Sequence, residues 1–354
     1  MIEQNFLGKS DFNIQNMLVS ASCPSNIALI KYWGKYENQI PANPSISYTL
    51  NHCKTITSME FFADEPFSVQ TFLAGNEEKK FAEKIEKYFK NIEPYLPWIL
   101  KGKYLIKTEN TFPHSSGIAS SASGFGAIAK CLINLDEIFT IPNPESQISN
   151  LKKASFLARL GSGSACRSLY EGLVVWGKTE VVEGSSDLFA VPYSNEKIHP
   201  IFRNFNDWVL LIHEGQKSVS STVGHGLMNT NPYAERRFQE AHENFEKLSK
   251  ILETGDMEGF IKLVEHEALT LHAMMMMSDT AFILMQTGTL EVINKIWEFR
   301  KITGLALFFT LDAGANVHLL FPNDLDNDRI ITFINQELLQ HTQNGGVVKD
   351  VMRF

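Results

Sequence analysis

No run of about 18 consecutive apolar residues occurs in this 354-residue chain, and its opening, Met1-Ile2-Glu3-Gln4-Asn5, lacks a basic stretch leading into an apolar one. A membrane-spanning helix and a cleaved leader are therefore not expected, and the chain reads as a soluble, unprocessed protein. Cysteine is sparse. Cys23, Cys53, Cys131 and Cys166 are scattered without a C-x-x-C pair, which argues against a zinc ribbon or a disulfide framework and fits reduced thiols in a cytoplasm. Basic residues are outnumbered, 32 against 40 acidic ones, giving a formal charge of -8. A broad cationic face for nucleic acid or anionic membrane is not expected, so any anionic ligand must be held by a local pocket. Internal repeats and low-complexity tracts are also missing.

What is present is an ordinary globular composition, 44% hydrophobic and 20% charged, at a length that suits two domains. Short β-like runs such as Lys103–Ile106 and Leu173–Trp176 alternate with helical stretches and Gly/Ser-rich turns through the first 180 residues. From Pro232 the pattern turns helical. Phe238, Ala241, Phe245, Leu248 and Ile251 recur every three or four residues, with Gly255 placed to stop that helix. A further helix is expected from Thr289 to Arg300, closed by Gly304, then strands over Leu305–Thr310 and Val317–Phe321 joined by Asp312–Asn316. The polar stretch Glu183–Asn206 is the natural boundary, dividing the chain into lobes of residues 1–200 and 201–354. The run Met274–Met277 reads as core or pocket-wall packing on a helix, because Met fills irregular gaps.

The most informative segment is Phe112-Pro113-His114-Ser115-Ser116-Gly117-Ile118-Ala119-Ser120-Ser121-Ala122-Ser123-Gly124, which runs into an apolar helix. Glycines let a backbone approach an anion, and the free N–H groups of a helix start point towards it. The hydroxyls of Ser120 and Ser121 add donors and a candidate Mg²⁺ ligand at Ser121. A Walker A loop is excluded, because its Gly-Lys-Ser/Thr ending is absent. The run Pro-x-x-x-Gly-x-x-Ser-Ser-Ala resembles the ATP-binding loop of the GHMP kinase superfamily. That resemblance places nucleotide phosphates over Pro113, Ser116, Gly117, Ala119, Ser120, Ser121 and Ser123.

A second constellation lies near the N-terminus, in Asn26-Ile27-Ala28-Leu29-Ile30-Lys31-Tyr32-Trp33-Gly34-Lys35. Two lysines four apart with a tyrosine between them can present two cations and a hydroxyl to one anion. Serines, glycine amides and one arginine follow in Gly161-Ser162-Gly163-Ser164-Ala165-Cys166-Arg167, a suitable second anion site. Ser220-Ser221-Thr222 and Thr310-Leu311-Asp312-Ala313-Gly314-Ala315-Asn316 complete the series. Taken in order, from about Ala21 to Asn316, these segments resemble the diphosphomevalonate decarboxylases.

The resemblance implies a two-lobed α+β GHMP kinase fold, with an N-terminal lobe like ribosomal protein S5 domain 2 and a ferredoxin-like C-terminal lobe. It also implies ATP- and Mg²⁺-dependent decarboxylation of mevalonate diphosphate to isopentenyl diphosphate, and homodimers, which are common in the family. Asp312 would be the catalytic carboxylate and Lys31 would sit near the reacting end. Tyr32, Lys35, Ser162 and Ser164 would hold the diphosphate, Asn26 and Arg167 the carboxylate, and Ser221 and Thr222 would lie near the substrate. Three positions depart from the usual pattern: Ala315 in place of Pro, His114-Ser115-Ser116 in place of Thr-Ala-Ala, and Tyr36 where a basic residue commonly follows Lys35. They bear on which phosphorylated substrate is used more than on the reaction. The rivals are a related enzyme acting on mevalonate or its monophosphate, as kinase or decarboxylase, and a catalytically silent binding protein of the same fold.

Overall fold

The structure, a computed structural model, describes residues 2–113, 118–140, 148–213, 215, 221–323 and 327–353, without the side chains of 221, 222 and 353. Residues 17–192 supply one mixed sheet. Its strands are β1 (Met17–Ile30), β2 (Ser45–Phe62), β3 (Ser68–Leu73), β4 (Asn76–Glu77), β5 (Lys103–Asn110), β6 (Leu173–Trp176) and β7 (Val191–Pro192). They run in the order β4-β3-β5-β2-β6-β7, with β1 laid along β2. Among the described residues only β3 and β5 pair in parallel, and the helix α1 (Lys79–Ile92) lies between them in the chain, the crossover that parallel neighbours need. In the outer half of β2, Thr55, Thr57, Met59 and Phe61 alternate inward. That face is covered by α2 (Ser120–Phe139) and α3 (Asn150–Gly161); α2 is apolar on most sides because it forms the centre of this core.

Residues 204–353 build a second sheet from β8 (Asn204–Leu210), β9 (Phe308–Leu311), β10 (Val317–Pro322) and β11 (Val347–Arg353), in the order β11-β8-β10-β9 and antiparallel throughout. Counted along the chain this is 4-1-3-2 with helices after the first and third strands, the ferredoxin-like arrangement that the resemblance implied. Between β8 and β9 come α4 (Ser221–Leu227), α5 (Ala234–Thr254), α6 (Met257–Met276) and α7 (Thr287–Thr303), and α8 (Asn327–Phe333) follows β10. Ala241, Phe245 and Leu248 face inward on α5, and both Gly255 and Gly304 end their helices in the left-handed conformation, as their positions in the sequence suggested.

One expected strand is shorter than its apolar run. Leu305–Leu307 precede the ladder because local turns take their N–H groups: Leu305 donates to Thr303 Oγ1 at 3.2 Å and Leu307 to the Leu305 carbonyl at 2.9 Å. The methionine run also divides. Met274 and Met275 pack inward while Met276 and Met277 are exposed.

The two sheets share a core. Val209, Phe308 and Leu320 pack with α5 and α6 and against Ile27, Leu29, Ile46 and Tyr48 of the first sheet, while Leu210, Leu311 and Leu319 face α7 and α8. Pro24, which has no N–H to donate, interrupts the β1–β2 ladder, so the pairing jumps from Pro24–Lys54 to Asn26–Thr49. The β2 residues left over there turn to the other lobe. Asn51, His52 and Cys53 donate their backbone N–H groups to the buried carboxylate of Asp350 on β11, at 2.9, 3.0 and 2.6 Å.

Candidate active site where the two lobes meet

The inner end of β1 is buried from Ile27 to Ile30 and delivers Lys31 into the joint between the lobes. The Lys31 ammonium lies 3.3 Å from Asp312 Oδ1, in the loop between β9 and β10. Lys31 is almost fully enclosed, whereas Asp312 stays partly open to solvent. Burial pulls the lysine below its ordinary range; the Asp312 carboxylate, and more weakly Glu267, pull it back up, and Arg167 opposes them. The Asp312 loop is itself fixed. His272 Nε2 is 3.1 Å from the Asp312 carbonyl, Thr289 donates to the Ala315 carbonyl at 2.6 Å, and the His213 N–H donates to Asn316 Oδ1 at 2.9 Å.

Next to this pair stands Arg167, buried in the 3₁₀ turn Gly163–Leu169. Its Nε donates to Ser47 Oγ at 2.9 Å, Nη1 to Ser45 Oγ at 2.6 Å and Nη2 to Asn26 Oδ1 at 3.3 Å. Asn26 in turn donates to Ser168 Oγ at 2.7 Å and to the Ser164 carbonyl at 3.3 Å. The structure thus brings Asn26 and Arg167 together as expected. Burial lowers the guanidinium's pKa, but an arginine this basic keeps its charge, and against these neutral oxygens that charge remains available to a carboxylate.

The third part is a cationic recess around Gly163. A Cβ there would come within 2.8 Å of the Tyr32 hydroxyl and 2.6 Å of Trp176, so only glycine admits the tyrosine. The Tyr32 hydroxyl is buried with no hydrogen-bond partner among the described residues, and burial keeps it protonated, hence a donor. Ser162 and Ser164, both half-buried, flank it on either side of Gly163. Lys35 donates to Gln39 Oε1 at 2.8 Å. Its pKa is depressed by burial and then by the charge of Lys84, which extends from α1 with its ammonium 4.8 Å from the centre of the Phe125 ring. Buried Arg159 steadies the Gln39 loop through the Asn38 carbonyl and also bonds the Leu188 carbonyl at 2.8 Å. Two lysines whose charges repel and a buried donor hydroxyl without a partner among the described residues are groups suited to a polyanion.

At the start of α2 the chain turns through Ala119, left-handed at φ 35° although it carries a Cβ, and Ser25 Oγ anchors the preceding carbonyl of Ile118 at 2.7 Å. The first turn has no acidic residue, so the positive end of the helix dipole is unopposed. Pro113 and Ser121 are exposed and Ser120 is half-buried, but Ser123 is fully enclosed, its hydroxyl 2.6 Å from Thr55 Oγ1 and 3.3 Å from the Ser120 carbonyl. The Ser123 hydroxyl therefore turns into the protein and braces the loop. Ser116 and Gly117 lie outside the described residues, as do the side chains of Ser221 and Thr222 at the start of α4.

Sequence reasoning missed Lys84, Arg159 and His225. Lys84 is one of several lysines in an amphipathic helix, and Arg159 is the basic end of another; only the docking of α1 and α3 distinguishes them. His225, on α4, sits between Tyr32 and Trp33 with ring centres 4.2 and 4.6 Å away, and its Nδ1 accepts the Gly34 N–H at 3.0 Å. Burial, with Lys35 and Arg167 behind it, pushes its pKa down to about 3. The unfolded chain binds this proton below about pH 6.5 and the folded one does not. Stability is therefore intact above that pH and declines as pH falls towards 3, at up to about 1.4 kcal/mol per pH unit for this group. Thermal melting of wild type from pH 7 to 5 should fall more steeply than that of His225→Asn, which keeps an acceptor for Gly34; parallel curves would disprove this.

Two family models divide the chain between them. A diphosphomevalonate decarboxylase-like N-terminal domain matches residues 23–189, and a mevalonate 5-diphosphate decarboxylase C-terminal domain matches residues 208–352. The diphosphomevalonate decarboxylase of Saccharomyces cerevisiae is 30% identical over 332 residues, covering 89% of this chain and 80% of that one. That of Ganoderma lucidum is 29% identical over 328 residues, 86% and 78% of the two chains. Among solved structures, the complex of MDDEF with MVAPP, AMPPCP and magnesium superposes with a TM-score of 0.80 at 25% identity, over 96% of this chain and 98% of that one. The mevalonate diphosphate decarboxylase of Legionella pneumophila gives 0.79 at 30% identity, over 94% and 100%.

Proposed function

The chain belongs to the diphosphomevalonate decarboxylase family, and we propose that the residues gathered at the lobe joint perform that family's reaction on mevalonate diphosphate. The enzyme uses ATP to phosphorylate the substrate's tertiary hydroxyl, then releases phosphate and CO₂ to give isopentenyl diphosphate. The observation that carries the assignment is the Lys31–Asp312 contact, which feels the charge of Arg167, itself bonded to Asn26 on the strand whose Ser25 anchors the loop before α2.

In this reading Asp312 accepts the proton of the tertiary hydroxyl as its oxygen takes the phosphoryl group. Lys31 holds the carboxylate in place and offsets negative charge at the transferring group. The Ser120 and Ser121 hydroxyls and the first amides of α2 hold the nucleotide phosphates. Mg²⁺, whose chemistry is to neutralise phosphate charge, has no cluster of three acidic, His or Cys ligands among the described residues. The residues present fit an ion carried mainly by the nucleotide, with Ser121 as a protein ligand.

Asn26 and Arg167 orient the substrate carboxylate, while Tyr32, Lys35, Ser162, Ser164 and Lys84 hold the diphosphate. The electron pair of the C–COO⁻ bond becomes the new double bond as the C–O bond to phosphate breaks, so positive character builds at the branched carbon. The buried surroundings of Lys31 and Arg167 keep water from trapping it. The four cysteines are free and buried, which supports a reducing, cytoplasmic setting. A homodimer belongs to the same reading.

Release of ADP and CO₂, measured with Mg-ATP and in turn mevalonate diphosphate, the monophosphate and mevalonate, tests the substrate. Both products should appear with the diphosphate and neither in quantity with the others. CO₂ from the monophosphate would change the substrate, and ADP without CO₂ would make the protein a kinase.

A further inference from the structure

The peptide group of Lys31 is held from the opposite lobe. Its N–H donates to Glu267 Oε2 at 2.9 Å, and Glu267 is fully buried on α6. Arg237 of α5 grips that carboxylate at two points, 3.0 and 2.5 Å, and Asn244 adds a third bond at 2.7 Å. Arg237 also reaches the Lys31 carbonyl at 3.4 Å, where Asn43 donates at 3.0 Å. Glu267, Arg237 and Asn244 are all buried and lie outside the groups placed on the reactants above.

A buried ion pair is a weak source of stability, because removing two charges from water roughly cancels their attraction. What this one supplies is direction. Its carboxylate has four donors around it, one of which is the backbone of the lysine that faces Asp312.

We propose that Glu267 is a positioning residue for the reaction, fixing the Lys31 backbone from the C-terminal lobe so that the ammonium points at Asp312. The inference rests on the reading of Lys31 and Asp312 as the groups at the reacting end. Docking of the lobes then becomes a condition for assembling that pair, since β1 supplies the lysine while α6 and the β9–β10 loop supply its two anchors. Glu267 also acts on the charge of Lys31. The charges acting on that ammonium are Asp312 from the β9–β10 loop, in contact with it, Glu267 from α6, bonded at the lysine's N–H, and Arg167 from the 3₁₀ turn; Arg237 of α5 lies at the lysine's carbonyl, and His272 of α6 lies behind the Asp312 backbone. Removing the Glu267 charge lowers the pH at which Lys31 loses its proton.

The test uses two variants of the full chain. Glu267→Gln removes the charge, and Glu267→Met with Arg237→Met removes both charges together, so that neither is stranded in the interior. Both should lose kcat by at least about tenfold, with the KM for substrate and the affinity for a fluorescent ATP analogue nearly unchanged. In Glu267→Gln the alkaline limb of the rate profile should move to lower pH. A double variant that melts like wild type and turns over at the wild-type rate would overturn the proposal. So would a loss confined to KM with the alkaline limb unmoved, which is what a purely structural role predicts. Asp312→Asn measured alongside separates the two ideas: if it is active, the reading of the reacting pair is wrong, and if it is dead while the Glu267 variants are fully active, only the present inference fails.

Discussion

Asp312→Asn should lower kcat by about 10³, within the 10²–10⁴ usual for a positioned acid or base, while the protein remains folded and binds both reactants. The amide occupies the same volume but cannot accept the proton of the tertiary hydroxyl. The fold should survive, because Asp312 is itself partly open to solvent and Lys31, already pulled down by burial, can shed its proton once the carboxylate is gone. A second signature follows from Lys31. The Asp312 carboxylate is the largest of the influences raising that lysine's pKa, so in the variant any residual activity should decline at lower pH than in wild type. Single-turnover release of ADP and CO₂, read beside a melting curve, decides the matter. Turnover within tenfold of wild type would remove Asp312 from its assigned role.

Arg167→Met should cut kcat/KM by about 10² or more, the loss expected when a charge-assisted two-point hold on a carboxylate is deleted. Lysine at this position should not restore it. The guanidinium spans Ser45, Ser47 and Asn26 with three different nitrogens, and an ammonium on a flexible stem cannot reproduce that fork. The variant should also melt lower, because two serine hydroxyls and an asparagine lose a buried partner. Binding separates that damage from the assigned role. Isopentenyl diphosphate, which carries the diphosphate but no carboxylate, should bind Arg167→Met and wild type alike, whereas mevalonate diphosphate should bind the variant far more weakly. Equal weakening of both ligands would mean that Arg167 only supports the fold.

Much of this was legible in the sequence because its signals are local. A helix ending at Gly255 or Gly304 needs only the period of its apolar face and a residue tolerant of the left-handed conformation. The loop before α2 and the Asn26–Lys35 segment are contiguous, so residue order alone carried them. What escaped depends on contacts between distant segments. Glu267 and His225 look like ordinary residues of amphipathic helices, and their roles arise because Lys31 and Gly34, 236 and 191 residues away in the chain, present their N–H groups to them. Ser123 shows the converse. It sits inside a motif that reads as ligand-facing, yet one further step around the helix turns its hydroxyl towards Thr55. Leu305 looked like the start of a strand because hydrophobicity does not reveal which N–H groups a turn has already taken.

Asp350 sets the order in which this protein can be completed as it is made. The three amides it accepts belong to residues 51–53, and its bond to Cys53 joins positions 297 residues apart. A nascent chain emerging from the ribosome has the whole first sheet available long before β11 exists. Until β11 arrives, those amides stay open and the face of β2 that meets the second lobe stays uncovered. The first lobe, whose last strand ends at Pro192, therefore waits with one seam solvent-exposed until Val347 and the rest of β11 are made. Cutting the gene between the lobes would leave the three amides on one half and their carboxylate on the other.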